Sequence, residues 1–200
     1  MTDTRVDLLR HGETVGGARY RGAGDDDALS ARGWEQMRAA VGESGSWSHI
    51  VSSPLQRCAA FARELAQIYL LPLDIEPRLR EIHFGDWEGK TAAEIHAACP
   101  DRLERFWNDP VNHPPPGGEN FTAFQARVLG AWDDLLARHA GAHLLIVTHG
   151  GPIRVILGHA RDLPWAAALC LSVPLASLHS QTVSAAIKHG VTRTVAETRG

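Results

Sequence analysis

Apolar residues along this chain follow two periods in turn. Short, nearly unbroken apolar runs at Val6–Arg10, His49–Ser52, Leu73–Ile75 and His143–Thr148 have the length and β-branched content of buried strands. Between them the spacing changes to that of amphipathic helices. Trp34, Met37 and Val41 mark a helix from Ala31 to about Glu43, with Ser30 as its N-cap. Leu55, Ala59, Ala62, Leu65, Ala66 and Tyr69 mark a second, with Ser53 as N-cap, Pro54 as first helical residue and Pro72 as its stop. Phe124, Val128, Trp132, Leu135 and Leu136 share one face of a long helix over Phe121–His139. Pro152 opens another helix, a short one starts near Pro164, and Ser177–Ala186 predicts one or two strands. Strands alternating with helices predict an α/β fold, a three-layer α/β/α sandwich around a mostly parallel central sheet.

One stretch breaks the alternation. Leu79–Gly89 is irregular, Thr91–Ala98 and Asp101–Asn108 read as short helices, and a loop of three prolines and two glycines follows at positions 114–118. We expect this segment, about 79–120, to be a small helical insertion covering one end of the sheet within a single domain over 1–200. The composition fits an enzyme of ordinary type, 44% hydrophobic and 22% charged. A net charge of −3 gives no basic surface for nucleic acid or membranes, and no apolar run approaches the ~20 residues of a membrane span. The N-terminus lacks the apolar core of a signal peptide. Cys58, Cys99 and Cys170 are odd in number and far apart, which argues against a disulfide framework, favours the cytoplasm, and predicts small core residues.

Candidate chemistry gathers at strand ends. The first strand runs into Arg10-His11-Gly12-Glu13-Thr14, and the run Ile146-Val147 leads into Thr148-His149-Gly150-Gly151. In a parallel sheet both imidazoles arrive on the carboxyl edge, where α/β proteins bind ligands. Ser53-Pro54-Leu55-Gln56-Arg57 follows another strand and places Arg57 in a first helical turn, where the dipole does not favour a cation; an anion held there would account for it. Glu81, Asp86 and Glu88 lie among Leu79, Ile82, Phe84 and Trp87, so each is a candidate for a desolvated proton donor. No carboxylate cluster or histidine pair has metal-ligand spacing along the sequence.

These four segments, in this order, resemble the histidine phosphatase superfamily, which includes the cofactor-dependent phosphoglycerate mutases. The resemblance spans nearly the whole chain. It implies a phosphoglycerate mutase-like fold and a metal-independent phosphomonoesterase with no cofactor. It makes His11 the nucleophile that forms a phosphohistidine, with Arg10, Arg57 and His149 gripping the phosphoryl oxygens. It selects Glu81 among the three acids as proton donor, and adds the amide of Gly150 to the phosphate pocket. Imidazole is a competent nucleophile when unprotonated, and planar guanidinium forks suit a tetrahedral anion.

The loop after the nucleophile departs from the common pattern. Many relatives carry Asn six residues past the histidine; here Gly17 stands there, and Arg21 and Gly22 are the remaining candidates for substrate contact. A cover of about Thr91–Asn120 is small for a mutase, and water access favours hydrolysis. Finer detail is similar to the bacterial α-ribazole phosphatases: Arg21-Gly22, Asp26-Asp27-Ala28-Leu29, Ser52-Ser53-Pro54-Leu55-Gln56-Arg57-Cys58, and Phe106-Trp107-Asn108-Asp109-Pro110. That branch implies α-ribazole 5′-phosphate or cobalamin 5′-phosphate as substrate, in cobalamin biosynthesis. A broad sugar-phosphate phosphatase, a mutase, and an inactive phospho-ligand binding module are the competing expectations. Trp87, Phe106 and Trp107 are candidates to stack on a planar base, and His83, His113 and Glu119 to line its pocket. The partner expected is a small phosphomonoester; the sequence sets no oligomeric state.

Overall fold

The computed structural model describes residues 3–42 and 46–184. Five strands form one sheet: β1 (Thr4–Arg10), β2 (His49–Ser52), β3 (Leu73–Ile75), β4 (His143–Thr148) and β5 (Leu178–Val183), in the order β3-β2-β4-β1-β5. The first four run parallel, and β5 lies antiparallel along β1. Because side chains alternate across a strand, neighbouring residues feed two different cores. Leu8, Val51, Leu144 and Ile146 face the helices α5 (Phe121–Arg138) and α6 (Gly150–Ala160), together with Phe124, Val128, Trp132 and Ile156. Leu9, Ile50, Leu145 and Val147 face α1 (Ala31–Val41) and α2 (Gln56–Tyr69), together with Met37, Phe61 and Leu65. The expected three-layer α/β/α sandwich is present, with the central strands buried on both faces, as parallel sheets require.

Residues 77–118 pack over the α5 face as two single 3₁₀ turns followed by α3 (Ala92–Ala98) and α4 (Pro100–Asn108). Ile82, Phe84, Trp87, Ile95 and Phe106 join the same core as Phe121 and Phe124. Gly85 (φ 56°) lets the proline-rich loop sit on this segment, since a Cβ there would fall 2.1 Å from the Pro116 carbonyl oxygen. A short α7 (Trp165–Leu169) precedes β5.

Several boundaries differ from expectation for local reasons. Helix α2 begins at Gln56, not Pro54, and Ser53 is no N-cap: its Oγ is committed to His149 and to the Leu55 amide. The cap comes from a distant loop instead, the Asp26 carboxylate accepting from the Gln56 amide at 2.6 Å. Helix α6 starts at Gly150, two residues before Pro152. Glu43 and Ala185–Ala186, proposed ends of a helix and a strand, lie outside the described residues. Of the cysteines only Cys58 is a core residue; Cys99 and Cys170 are exposed.

Candidate active site

The parallel pairing of β1 with β4 sets Arg10 opposite Thr148, so the next residues of each strand, His11 and His149, leave the sheet side by side. The His11 amide donates to the Thr148 carbonyl at 3.0 Å, and the two imidazole rings meet edge to face with centroids 5.2 Å apart. Gly12 is needed here because a Cβ would lie 2.3 Å from the Gly33 carbonyl oxygen of α1.

Hydrogen bonds assign both tautomers. His11 Nδ1 lies 2.8 Å from the Gly12 carbonyl oxygen, an acceptor only, so Nδ1 carries the proton and Nε2 keeps its lone pair. Arg57 Nε, a donor only, points at His149 Nδ1 at 3.2 Å. His149 therefore carries its proton on Nε2 and donates it to Ser53 Oγ at 2.7 Å. Burial, then the cations Arg57 and Arg10, push the His11 pKa down to about 3. Burial, then Arg57, lower that of His149 as well. Both rings are neutral at physiological pH, which is the state a nucleophilic imidazole needs.

The acid and the cations arrive from separate segments. Glu81 is buried at the N-terminus of α6, where one carboxylate oxygen accepts from the Gly151 amide at 3.1 Å and the other from the Ile82 amide at 3.0 Å. Arg10 donates from Nη1 to the Val173 carbonyl at 2.6 Å, while its Nε is buried with no partner among the described residues. Burial lowers the pKa of Arg10, partly offset by Glu81, and the same two influences act on Arg154.

A cavity of about 520 Å³ opens over this edge. Arg10, His11, Glu81 and Gly150 line it, as do Gly17 and Arg21 from the loop after the nucleophile. Gly17 (φ 76°) has open space where a side chain would project. Other expected residues stand elsewhere. Gly22 packs against Ile82 and Phe84 and gives its carbonyl oxygen to Arg57 Nη2 at 2.9 Å. Arg57 is fully buried and also donates to the Asp25 carbonyl at 2.6 Å, so loop carbonyls help to offset its position in the first turn of α2. Arg57 and His149 stand against each other beside the His11 ring and are not among the residues that line the cavity. Asp86 is exposed, and Glu88 accepts from the Phe84 amide, so of the three acids only Glu81 reaches the cavity. Phe106 and Trp107 line it but Trp87 is core. His83, His113 and Glu119 are absent from its wall; Glu119 pairs with Arg127 at 2.7 Å.

The sequence reading missed Arg154. It lines the cavity beside Gly150 and Arg10, held by Nε donating to the Leu171 carbonyl at 3.0 Å. A signal existed: Arg154 is the one charged side chain in the buried run Gly150–Gly158. Tyr20, Phe121 and Phe124, which the sequence reading did not place at the site, also line the cavity.

The chain is 38% identical over 182 residues to a Mycobacterium tuberculosis protein named as bifunctional, covering 88% of this chain and 50% of that protein; the chain thus spans about half the length of this relative. Among solved structures it is similar to mycobacterial glucosyl-3-phosphoglycerate phosphatase, with a TM-score of 0.80, 30% identity, and coverage of 90% and 91% of the two chains. It is also similar to the α-ribazole phosphatase of Shigella flexneri, with a TM-score of 0.78, 27% identity, and coverage of 90% and 91%. The model of the histidine phosphatase superfamily (branch 1) matches residues 6–190, and the chain belongs to that superfamily.

Proposed function

We propose that this chain is a metal-independent phosphomonoesterase that works through a phosphohistidine on His11. The observation that carries the proposal is the His11 tautomer: its Nδ1–H is tied to the Gly12 carbonyl, and an unprotonated Nε2 remains on a cavity-lining ring flanked by arginines. His11 Nε2 attacks phosphorus, the N–P bond forms, and the ester P–O bond breaks. Glu81 delivers its proton to the leaving alkoxide oxygen. The Glu81 carboxylate then takes a proton from water, the hydroxide attacks phosphorus, and the N–P bond breaks to release phosphate. Phosphoryl transfer of this kind depends on positioning and on neutralising the equatorial oxygens. Arg10, the Gly150 amide and Arg154 supply donors on the cavity side. Arg57 and His149, beside His11, grip the remaining phosphoryl oxygens, and the Arg57 charge helps to keep His11 unprotonated.

For the substrate, the reading favoured is α-ribazole 5′-phosphate, or cobalamin 5′-phosphate in cobalamin biosynthesis. Tyr20, Phe84, Phe106, Trp107, Phe121 and Phe124 surround the cavity and suit a planar apolar body behind the phosphate. The similarity to a named α-ribazole phosphatase supports it. Arg19 and Arg21 at the same cavity favour a second reading, an acidic sugar phosphate of the glucosyl-3-phosphoglycerate type. A panel of α-ribazole 5′-phosphate, glucosyl-3-phosphoglycerate, 3-phosphoglycerate and p-nitrophenyl phosphate decides. The first should show kcat/KM at least about tenfold above the others, the discrimination one well-filled apolar contact supplies. Equal or higher kcat/KM on the simple esters overturns the α-ribazole assignment. Absence of a ³²P-labelled enzyme after quenching a turning-over substrate overturns the phosphohistidine.

A further inference from the structure

At the opposite end of the sheet the fold assembles a second histidine pair, far apart in sequence. His49 opens β2, Asp74 lies in the adjacent β3, and His139 caps the carboxyl end of α5. One ring nitrogen from each histidine and one Asp74 oxygen all lie within 4.8 Å of one another. The register explains the meeting. Asp74 pairs with Val51, two residues after His49, so both side chains leave the same face of the sheet, the face that α5 covers. His49 Nε2 and Asp74 Oδ2 are 3.0 Å apart, and the two imidazoles lie with centroids 4.4 Å apart.

A second, independent observation marks this cluster. His139 Nε2 is a buried polar atom with no hydrogen-bond partner among the described residues. Such an atom costs free energy unless something satisfies it, and an ion is one of the few things that can. The donor set is two imidazoles and a carboxylate, the borderline ligands of a first-row transition metal and above all of zinc. Tetrahedral zinc separates its donor atoms by roughly 3.3 Å, given bonds of about 2.0 Å, so movements of about an ångström bring these three donors into place. Asp74 is half exposed, which leaves an entry path and room for water as a fourth ligand. The sequence predicted no metal ligands because the three residues are separated by 25 and 65 positions and share no motif.

We propose that His49, Asp74 and His139 form a zinc-class divalent metal site, remote from the cavity and serving to tie the β2–β3 edge to the end of α5. It takes no part in phosphoryl transfer. The test is equilibrium dialysis of the full chain against Zn²⁺ alone, together with thermal unfolding with and without Zn²⁺. Wild type should bind one high-affinity Zn²⁺ per chain. His139→Ala and the milder His139→Gln should weaken that binding by about 100-fold or more, since losing partners that only orient a ligand already costs 10–100-fold. His11→Asn should leave it intact. Saturating Zn²⁺ should raise the unfolding midpoint of wild type by about 5 °C or more and leave the His139 variants unmoved. Phosphatase activity retained in His139→Gln shows that variant to be folded. Co²⁺ substitution should give tetrahedral visible bands in wild type that His139→Gln loses. The proposal is overturned if wild type holds no high-affinity Zn²⁺, or if the His139 variants hold it as well as wild type does.

Discussion

The molecule carries two histidine pairs at opposite ends of one sheet, and their neighbours give them opposite chemistry. At the carboxyl edge, His11 and His149 stand 5.2 Å apart among Arg10 and Arg57, with Arg154 beside Arg10. At the amino edge, His49 and His139 stand 4.4 Å apart beside Asp74. Guanidinium groups repel a metal ion and attract a phosphate; a carboxylate does the reverse. The residue type alone decides nothing at either place. What separates an anion site from a cation site is the sign of the charge a few ångströms away and the depth at which it is buried.

The sharpest way to break this contrast is to remove the nucleophile. His11→Asn keeps a polar side chain of similar size but no nucleophilic nitrogen, and should lower kcat by at least about 10⁴-fold, the scale seen when an acting nucleophile is deleted. Turnover and phosphoenzyme labelling by rapid quench measure it; near-wild-type turnover would place the chemistry elsewhere. Glu81→Gln should follow with a loss of about 10²–10⁴ in kcat, the usual contribution of a general acid. The loss should shrink on p-nitrophenyl phosphate, whose leaving group needs little protonation. An equal loss on both esters would assign Glu81 a structural part. A chelator should leave wild-type turnover unchanged, since in the proposed mechanism guanidinium groups, not a metal, neutralise the phosphoryl oxygens.

The contrast also shows what the chain reveals before it folds. The cationic site was legible because each part follows a strand end: Arg10-His11-Gly12 after β1, Ser53 and Arg57 after β2, His149-Gly150-Gly151 after β4. Parallel pairing then brings the ends together without further information. The sandwich was legible for the same reason, since period 2 and period 3.6 alternate cleanly. Depth was not legible. That Arg57 is fully buried and donates to the Gly22 and Asp25 carbonyls depends on a loop whose path no periodicity encodes. Arg154 sits in a helix that reads as core, and the His49, Asp74 and His139 cluster exists only through the packing of α5 on the β2–β3 edge.

A buried neutral histidine also leaves a mark on stability. His11 has its folded-state pKa pushed down to about 3, against an ordinary value of 6.5 in the unfolded chain. Between those values the unfolded chain binds a proton that the folded protein does not. Stability from this group is thus present above pH 6.5 and falls as the pH drops toward about 3. His149 acts in the same direction. From pH 7 to pH 5 the His11 contribution amounts to about 2 kcal/mol, or roughly 4–8 °C in Tm for a domain of this size. His11→Asn should therefore lose that much less Tm over the interval than wild type. Equal losses in the two proteins would mean that His11 titrates normally and that the arginines do not keep it unprotonated.

The smallest effect separates two uses of the extra cation. Arg154 lies beside Arg10 and Gly150, and its Nη1 comes within 2.9 Å of the point where a Gly150 Cβ would project. If it neutralises the phosphoryl group in the transition state, Arg154→Gln should lower kcat/KM by about tenfold, near the lower end for a hydrogen bond to a charged group. That loss should be the same for p-nitrophenyl phosphate and for an acidic sugar phosphate, because both present the same phosphoryl oxygens. If it reads a second anion on the substrate body, the loss appears only with the acidic substrate and mainly in KM. Its position beside Arg10 and Gly150, and not with the exposed Arg19, favours equal losses. A loss confined to the acidic ester would move Arg154 from the phosphate to the substrate's own charge, and with it the boundary between the chemistry of this edge and its specificity.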